Sequence, residues 1–182
     1  MKWMIASDIH GSVPACRTLW EAYDREQADR LLLLGDLFYH GPLGGPPEGY
    51  DPRVAADLLN RRAESILCVR GNTESEAVQQ VLRFPVMADY ALLSDGERLI
   101  FATHGHVYGP AKPPLLSRGD ILLAGHTHVA ALRMLEGGIL YMNPGSIALP
   151  LGERGPSYMI WEKGRFLWKD TDGSVFEEWC SE

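Results

Sequence analysis

The sequence predicts an α/β fold in which two β-sheets pack face to face and helices cover their outer faces. In the first half of the chain, short apolar runs alternate with segments whose apolar residues recur every three or four positions, as in strands alternating with helices. In the second half, short apolar runs are separated by glycine-containing turns, which is typical of antiparallel strands. Polar residues directly follow most of these runs, at the strand ends where α/β sheets bind ligands.

The first half is predicted to contain three strands, each followed by a helix. The strands cover residues 2–7, 31–34 and 65–69. Ser12 is the expected N-cap of the first helix, with Pro14 in its first turn. A loop rich in glycine and proline spans residues 40–52, and Asp51-Pro52 at its end starts the second helix. The third helix ends before Pro85.

The second half is predicted to consist mainly of short strands. A hairpin joins residues 90–93 to residues 98–103 through the turn Ser94-Asp95-Gly96. Further strands are predicted at residues 121–124, 129–135, 139–142, 157–162 and 165–169. The length of 182 residues corresponds to a single domain, which we expect to span residues 1–182.

Composition limits the classes of partner. The chain has 17 Lys and Arg against 24 Asp and Glu, and this net charge of -7 disfavours binding to long nucleic acids. No apolar stretch approaches the length of a membrane span, and the N-terminus lacks a signal-peptide pattern, so we expect a cytoplasmic protein. The three distant cysteines predict neither a disulfide framework nor a zinc ribbon. The sequence leaves the oligomeric state open, a homo-oligomer included.

Seven polar residues follow five of the predicted strands and are expected to meet at one edge of the sheets. They are Asp8, His10, Asp36, Asn72, His104, His126 and His128. This mixture of carboxylate, imidazole and amide groups suits Mn2+, Fe2+, Zn2+, Co2+ or Ni2+ better than Ca2+ or Mg2+. The set exceeds what one zinc ion needs, so it predicts two divalent ions that share a carboxylate.

Two such ions suit the hydrolysis of a phosphate ester. They hold the attacking and leaving oxygens of an in-line displacement at phosphorus, and they lower the pKa of a bridging water to give the attacking hydroxide. The positive charge of the ions outweighs the negative charges of Asp8, Asp36 and the hydroxide, so the site is net positive within an acidic chain. The expected substrate is therefore a small anionic phosphoester.

Each motif taken alone has a structural alternative. Asp8 could cap the first helix, Gly35-Asp36 could be a turn that ends a strand, and Gly71-Asn72 could be a left-handed turn. Gly125-His126-Thr127-His128 is harder to explain in this way, because two imidazoles at a strand end have little structural use. The joint occurrence of these motifs behind five strands favours one functional site.

The motifs also occur in the order found in a known family. The chain resembles the calcineurin-like metallophosphoesterases, from residue 1 to about residue 162, in the motifs Asp8-Ile9-His10-Gly11, Gly35-Asp36, Gly71-Asn72, His104-Gly105 and Gly125-His126-Thr127-His128. Within that superfamily it is similar to the bacterial YfcE-type phosphodiesterases in segments 7–12, 40–42, 47–50, 103–106 and 143–146.

The resemblance implies a fold, an activity and a ligand set. The implied fold is a four-layer α/β/β/α sandwich of two mixed β-sheets flanked by helices, and the implied activity is phosphoester hydrolysis with Mn2+ as a frequent activating ion. One ion would be held by Asp8, His10, Asp36 and His128. The second would be held by Asp36, which bridges the two ions, and by Asn72, His104 and His126.

One position departs from the family pattern. Many relatives carry a histidine after the asparagine, which protonates the leaving group or stabilises the transition state, whereas this chain has Thr73. Thr73-Glu74-Ser75-Glu76 matches a capping box, so we expect Thr73 to open the third helix. The identity of the general acid stays open. The YfcE-type relatives also lack this histidine, so the resemblance does not imply an inactive protein.

Three further residues lie near the expected site. His106 either acts on the substrate, as a candidate catalytic residue beside His104 and Asn72, or forms a hydrogen bond that supports the site. Arg70 reaches either a phosphate oxygen or a carboxylate at the strand end. His40 either faces the substrate or is a solvated loop residue.

The leading functional hypothesis is a dinuclear metal-dependent phosphodiesterase that hydrolyses small phosphodiesters by in-line attack of a metal-bridging hydroxide. A phosphomonoesterase or protein phosphatase would use the same metal chemistry with a different pocket. The third hypothesis is a non-catalytic protein-binding scaffold, because a retromer subunit of similar fold has lost part of its metal site. The complete ligand set in this sequence counts against the scaffold.

Overall fold

Eleven strands and three α-helices form the regular structure of residues 1–39 and 45–180, which the computed structural model describes. The strands are β1 (Lys2–Ala6), β2 (Arg30–Leu33), β3 (Ile66–Cys68), β4 (Tyr90–Ser94), β5 (Leu99–Thr103), β6 (Ile121–Ala124), β7 (Ala131–Met134), β8 (Leu140–Asn143), β9 (Ser157–Glu162), β10 (Arg165–Asp170) and β11 (Val175–Cys180). The helices are α1 (Val13–Glu26), α2 (Pro52–Asn60) and α3 (Glu76–Val81). In the described part of the chain, no helix is long and apolar enough to cross a membrane.

The first sheet has six strands in the order β11-β10-β9-β1-β2-β3. β1, β2 and β3 are parallel, whereas β9, β10 and β11 form an antiparallel meander that joins β1. Ile5 in β1 pairs with Leu32 on one side and with Met159 on the other. The first strand of the chain is therefore an interior strand of this sheet, and β11 is a strand that the sequence pattern did not predict.

The second sheet has five strands in the order β4-β5-β6-β8-β7. The predicted hairpin is confirmed as β4 and β5, which are antiparallel. β5, β6 and β8 are parallel in the middle of the sheet, and β7 is antiparallel at its edge. Both sheets are thus mixed, which confirms what the family resemblance implied.

A buried apolar layer lies between the two sheets. Ile5 and Leu32 from the first sheet and Ile100 and Leu123 from the second are fully buried in this layer. Burial of each such side chain contributes roughly 1.5–3 kcal/mol relative to exposure. This layer holds the sheets together, so that loops from both sheets can contribute to one site.

Helices cover one outer face in the described residues. Leu19 of α1 and Leu59 of α2 pack against the first sheet. The outer face of the second sheet is covered instead by Tyr108 and Leu116, from the irregular segment between β5 and β6. This segment contains three prolines, which lack the backbone N–H that a helix interior uses. The two-sheet α/β architecture is confirmed, with a non-helical segment as its fourth layer.

The predicted starts of the first two helices are confirmed. Ser12 Oγ accepts a hydrogen bond from the amide of Ala15 at 3.2 Å. Asp51 Oδ1 accepts hydrogen bonds from the amides of Arg53 and Val54, each at 3.1 Å. These caps satisfy amides that have no partner inside the helix.

The predicted start of the third helix is wrong. The N-cap of α3 is Ser75, and Thr73 does not form a capping box. The amide and the hydroxyl of Thr73 instead both donate to Oδ1 of Asp36, each at 3.1 Å. A hydrogen bond to a carboxylate is stronger than one to a neutral group, so Asp36 is the better partner for Thr73.

The predicted loop at residues 40–52 is described from residue 45 onward, and His40 lies outside the described residues. The end of the loop contacts the start of α1. Ser12 and Tyr50 form an isolated β-bridge, and the amide of Asp51 donates to the carbonyl oxygen of Gly11 at 2.9 Å.

Candidate metal centre

The seven polar residues predicted to meet do lie together, on loops that follow parallel strands. They are Asp8 and His10 after β1, Asp36 after β2, Asn72 after β3, His104 after β5, and His126 and His128 after β6. β1, β2 and β3 belong to the first sheet, and β5 and β6 belong to the second. The cluster therefore lies where the carboxyl ends of both sheets meet.

Three of these residues form a first group of converging ligand atoms. His10 Nε2 and His128 Nε2 are 3.2 Å apart. Asp8 Oδ1 lies 3.2 Å from His128 Nε2 and 3.6 Å from His10 Nε2. One ligand atom from each residue lies within 4.8 Å of the others, an arrangement that could hold a metal ion.

A second group surrounds His104 Nε2. This atom lies 3.0 Å from Asn72 Oδ1 and 3.1 Å from His126 Nδ1. Ligand atoms of Asp8, Asp36 and His104 also lie within 4.8 Å of one another. The second group could therefore hold another ion beside the first.

Both carboxylates lie between the two groups. Asp8 belongs to both sets of converging atoms. Asp36 Oδ1 lies 3.5 Å from His104 Nε2, while Asp36 Oδ2 lies 3.8 Å from His10 Nε2. Asp36 thus directs one oxygen to a histidine of each group, which is the geometry that a bridging ligand needs.

Backbone carbonyls fix the orientation of three imidazoles. Their Nδ1–H groups donate in three pairs: His10 to Tyr39 at 2.5 Å, His104 to Leu34 at 2.7 Å and His128 to Leu149 at 2.6 Å. A proton on Nδ1 leaves the lone pair of Nε2 directed into the cluster. This is the usual way in which a protein orients a histidine that binds a metal.

The converging atoms need a cation between them. Asp8 Oδ1 is buried and has no hydrogen-bond partner among the described residues. Burial alone would lower the pKa of His10 and of His128, but the Asp8 carboxylate raises both. Burial alone would likewise raise the pKa of Asp8, but the two imidazoles lower it strongly. A divalent ion fits the same atoms, and it would bind the Nε2 atoms in their unprotonated form.

The backbone of the site is strained. Among the described residues other than glycine, seven have a positive φ, and five of these are predicted metal ligands with φ between 50° and 67°: Asp8, His10, Asp36, His126 and His128. A left-handed backbone costs such a residue roughly 1–3 kcal/mol. Hydrogen bonds between strand ends hold it, since the amide of His10 donates to Asp36 O at 2.9 Å and that of Asp8 to Gly35 O at 3.1 Å.

Asn143 and Ser146 support two of the site loops, a role that was not predicted. Asn143 Nδ2 donates to the carbonyl oxygen of Gly125 at 2.8 Å and to Thr127 Oγ1 at 3.0 Å. Ser146 Oγ donates to the carbonyl oxygen of Asp8 at 2.9 Å. The only signal in the sequence was the segment 143–146 itself, which indicated a resemblance but no contact.

His106 lies beside the second group and outside the converging ligand atoms. Its ring centroid is 5.4 Å from that of His104 and 6.3 Å from that of His126. Its Nδ1 is buried with no hydrogen-bond partner among the described residues. Burial and the neighbouring imidazole of His104 lower the pKa of His106, so its ring is neutral near pH 7.

Arg70 forms the ion pair that was one of its two predicted roles. Arg70 follows the end of β3, and its Nη2 lies 2.6 Å from Oδ1 of Asp89, which directly precedes β4. Both side chains are partly exposed, so the pair is screened by solvent. The guanidinium charge next to the cluster is thus balanced by a carboxylate.

A family model described as the calcineurin-like phosphoesterase superfamily domain matches residues 1–164 of the chain. The chain belongs to this superfamily. The matched residues include all seven members of the cluster, whereas β10 and β11 lie entirely beyond them.

Two curated members of the superfamily are similar to the chain over most of their length. Phosphodiesterase YfcE of Escherichia coli K12 is 42% identical over 158 residues, which cover 87% of this chain and 85% of the relative. Probable metallophosphoesterase YsnB of Bacillus subtilis 168 is 40% identical over 170 residues, which cover 88% of this chain and 83% of the relative.

Solved structures extend the comparison to the whole chain. The Escherichia coli YfcE phosphoesterase superposes with a TM-score of 0.93 at 37% identity, covering 99% of both chains. Vacuolar Protein Sorting 29 of Cryptosporidium parvum superposes with a TM-score of 0.58 at 17% identity, covering 99% of this chain and 98% of the other. The second similarity shows a shared fold alone.

Proposed function

We propose that the chain is a dinuclear metal-dependent phosphodiesterase that hydrolyses small phosphodiesters. The observation that carries the proposal is the convergence of buried carboxylate and imidazole ligand atoms in one cluster. Asp8 Oδ1 is buried without a partner among the described residues, and His10 Nε2 and His128 Nε2 face each other at 3.2 Å. Membership of the superfamily and the 42% identity to a bacterial phosphodiesterase support the same chemistry.

We assign the ligands as the family pattern implies. One ion is held by Asp8, His10, Asp36 and His128, and the other by Asp36, Asn72, His104 and His126. The position of Asp36 between the two groups supports its role as the bridge. The mixed nitrogen and oxygen donors suit Mn2+, Zn2+, Fe2+, Co2+ and Ni2+ alike, and we propose Mn2+ because the family resemblance implies it.

The ions supply an activated water and the positive charge that a phosphoryl group requires. The chain keeps the ligand atoms in place, because the carbonyl oxygens of Leu34 and Leu149 hold the rings of His104 and His128. His106 orients the substrate in this proposal, since its ring lies beside the second group and is only partly buried.

The surroundings of the site favour a diester over a monoester. A phosphomonoester carries up to two negative charges near pH 7, whereas a diester carries one. Arg70, the cationic residue that directly precedes the Gly71-Asn72 motif, is already paired with Asp89. The Asp89 carboxylate partly neutralises the charge that Arg70 would offer to the second negative charge of a monoester, which supports a diester substrate.

The remaining proposals concern organisation and location. We propose that residues 1–182 form a single metallophosphoesterase domain, which the pairing of β9, β10 and β11 with β1 in one sheet supports. We also propose that the protein acts in the cytoplasm.

The test is hydrolysis of a bis(4-nitrophenyl) phosphate by Mn2+-loaded protein, compared with protein treated with a chelator. Loading with Mn2+ is expected to switch the activity on. Asn72→Ala and His104→Ala are each expected to lower kcat/KM by at least about 100-fold, because loss of a ligand exceeds the usual effect of a residue that supports a ligand. Asn60→Ala is the matched control. Asn60 is the last residue of α2, forms hydrogen bonds with the backbone of Val81 and Arg83, and lies outside the cluster.

The outcomes separate the competing functions. Full turnover in both variants would show that the assigned site is wrong. A higher kcat/KM on 4-nitrophenyl phosphate than on the diester would identify a phosphomonoesterase. Less than one metal per chain, together with no activity under any divalent ion, would favour the protein-binding scaffold.

A further inference from the structure

The carboxylate of Glu74 lies buried between the loops that follow β2 and β3, and only 9% of the residue is exposed. Its Oε2 accepts hydrogen bonds from the amides of Asp36 at 2.9 Å and Gly71 at 2.6 Å. Its Oε1 accepts a hydrogen bond from the amide of Leu37 at 2.8 Å. One side chain therefore ties the loop that carries Asp36 to the loop that carries Asn72.

The backbone of Asp36 requires this support. Its φ of 54° lies in the left-handed region, which costs a residue with a side chain roughly 1–3 kcal/mol. The Asp36 carboxylate directs its two oxygens to His104 and His10, at 3.5 Å and 3.8 Å. A rotation of the backbone at residue 36 would move both oxygens away from the histidines at once.

A negative charge at position 74 is unfavourable in its own surroundings, because Glu74 is buried near another carboxylate. Three backbone N–H groups converge on it and form the kind of concave anion site that offsets such a cost. Without the carboxylate, these amides at the bend of two loops would lose their partner. The Glu74 carboxylate thus stabilises the conformation of the loops that follow β2 and β3.

We propose that Glu74 is a positioning residue for the metal centre, which acts by fixing the backbone of Asp36 and the loop of Asn72. This inference rests on the proposed function, because it assumes ions at Asp36. It explains why the buried carboxylate of Glu74 binds backbone amides next to the proposed ligands although Glu74 is not itself a ligand. Glu74 does not contact the reacting atoms, so its effect appears first in metal binding.

The test titrates metal-free protein with Mn2+ and follows the bound ions by electron paramagnetic resonance, which distinguishes a coupled Mn2+ pair from isolated ions. Glu74→Gln keeps the shape of the side chain but turns an amide group toward backbone N–H donors. We expect a 10- to 100-fold loss of Mn2+ affinity, the usual range for a residue that supports a ligand, together with loss of the coupled signal. Asp120→Asn is the matched control, because Asp120 also accepts two backbone amides, from Leu99 and Ser117, at the opposite strand ends.

The Mn2+ titrations distinguish failure of the proposed role of Glu74 from failure of the proposed metal-dependent function. A Glu74→Gln protein that binds a coupled Mn2+ pair as tightly as the wild type would overturn the role of Glu74 and leave the proposed function intact. A wild-type chain that binds no Mn2+ would overturn the proposed function itself. If Glu74→Gln does not fold, Glu74→Asp replaces it: the shorter carboxylate cannot reach all three amides and is expected to weaken Mn2+ binding by about 10-fold, and unchanged binding would again overturn the role.

Discussion

The hydroxyl of Thr73 donates a hydrogen bond to Oδ1 of Asp36 at 3.1 Å, and the amide of Thr73 donates to the same oxygen at the same distance. Thr73 occupies the position at which many relatives carry a histidine. In this chain Thr73 therefore orients the carboxylate of Asp36, the proposed bridging ligand, through two hydrogen bonds.

Thr73→Val tests this contact, because valine keeps the shape of the side chain and removes only the hydroxyl. Asp36 retains the amide of residue 73, so the loss is limited to one hydrogen bond to a charged group, about 1.5–3 kcal/mol. We expect kcat/KM on the diester to fall by at least roughly tenfold. Thr73→Ser, which keeps the hydroxyl, should retain nearly wild-type kcat/KM, and an equal loss in both variants would contradict the role of the hydrogen bond.

Gly71→Ala is expected to damage the site through sterics alone. A Cβ atom on residue 71 would lie 2.1 Å from Asp36 Oδ1 and 2.5 Å from the amide nitrogen of Asp36, closer than such atoms approach. Asp36 must move, so Mn2+ affinity should fall at least about 10-fold, as for loss of a supporting residue. Gly155→Ala is the control, because a Cβ there meets nothing within 4 Å, and titration of both variants with Mn2+ measures the difference.

His106→Ala distinguishes substrate orientation from proton donation. If His106 orients the substrate, its loss should lower kcat/KM by roughly tenfold for all diesters, about one hydrogen bond to a charged group. The dependence of kcat on the pKa of the leaving group should then stay unchanged. A steeper dependence in the variant would identify His106 as the proton donor instead. His106→Asn keeps an N–H donor and is expected to recover part of the loss.

Glu26 makes stability depend on pH at a site remote from the metal cluster. Its Oε1 accepts hydrogen bonds from Lys169 Nζ at 2.6 Å and Tyr158 Oη at 2.7 Å. Burial alone would raise the pKa of Glu26, but these two donors lower it below its ordinary value. A lowered pKa in the folded state means that Glu26 stabilises the fold above its unfolded pKa of about 4.3, and that this contribution is lost as the pH falls through the folded pKa.

Glu26→Gln should therefore weaken the dependence of the free energy of unfolding on pH in the acid range. At pH 7 we expect the free energy of unfolding to fall by about 1–2 kcal/mol, a figure reduced for the partial exposure of the ion pair. Chemical denaturation between pH 3 and pH 7 measures both effects, and parallel profiles for variant and wild type would contradict them. Glu178→Gln, which breaks the exposed pair with Arg165, is the control. Arg165 also lowers the pKa of Glu178, but solvent screens this pair, so the profile should change less than in Glu26→Gln.

Local signals allowed most of the fold to be predicted. Ser12 and Asp51 act on amides two or three residues away, so their capping roles could be inferred from neighbouring positions. Thr73 looked equally suited to a cap, but its partner Asp36 lies 37 residues away in the sequence, and a contact of that range is invisible to a local pattern. β11 was missed because it lies at the edge of its sheet with mostly exposed residues and lacks an apolar run.

The convergence of the candidate site was predictable for a different reason. Polar residues directly after parallel strands must meet at one edge, so the grouping of Asp8, Asp36 and Asn72 follows from the order of strands and motifs. The residues behind them were not predictable in this way. Glu74 and Asn143 act on backbone amides and carbonyls of distant loops, and such contacts depend on loop conformations that no residue pattern specifies.

β1 lies between β2, which directly follows α1, and β9, which comes from the last part of the chain. Asp8 is held accordingly: its amide donates to Gly35 O at 3.1 Å, while its carbonyl oxygen accepts from Ser146 Oγ at 2.9 Å. Contacts so distant in sequence form slowly during folding. During biosynthesis, a nascent chain that ends before Ser146 and β9 leaves one side of β1 unpaired. Asp8 then lacks the hydrogen bond from Ser146. The loop that carries Asp8 and His10 therefore gains its full anchoring only after Ser146 and β9 have been synthesised.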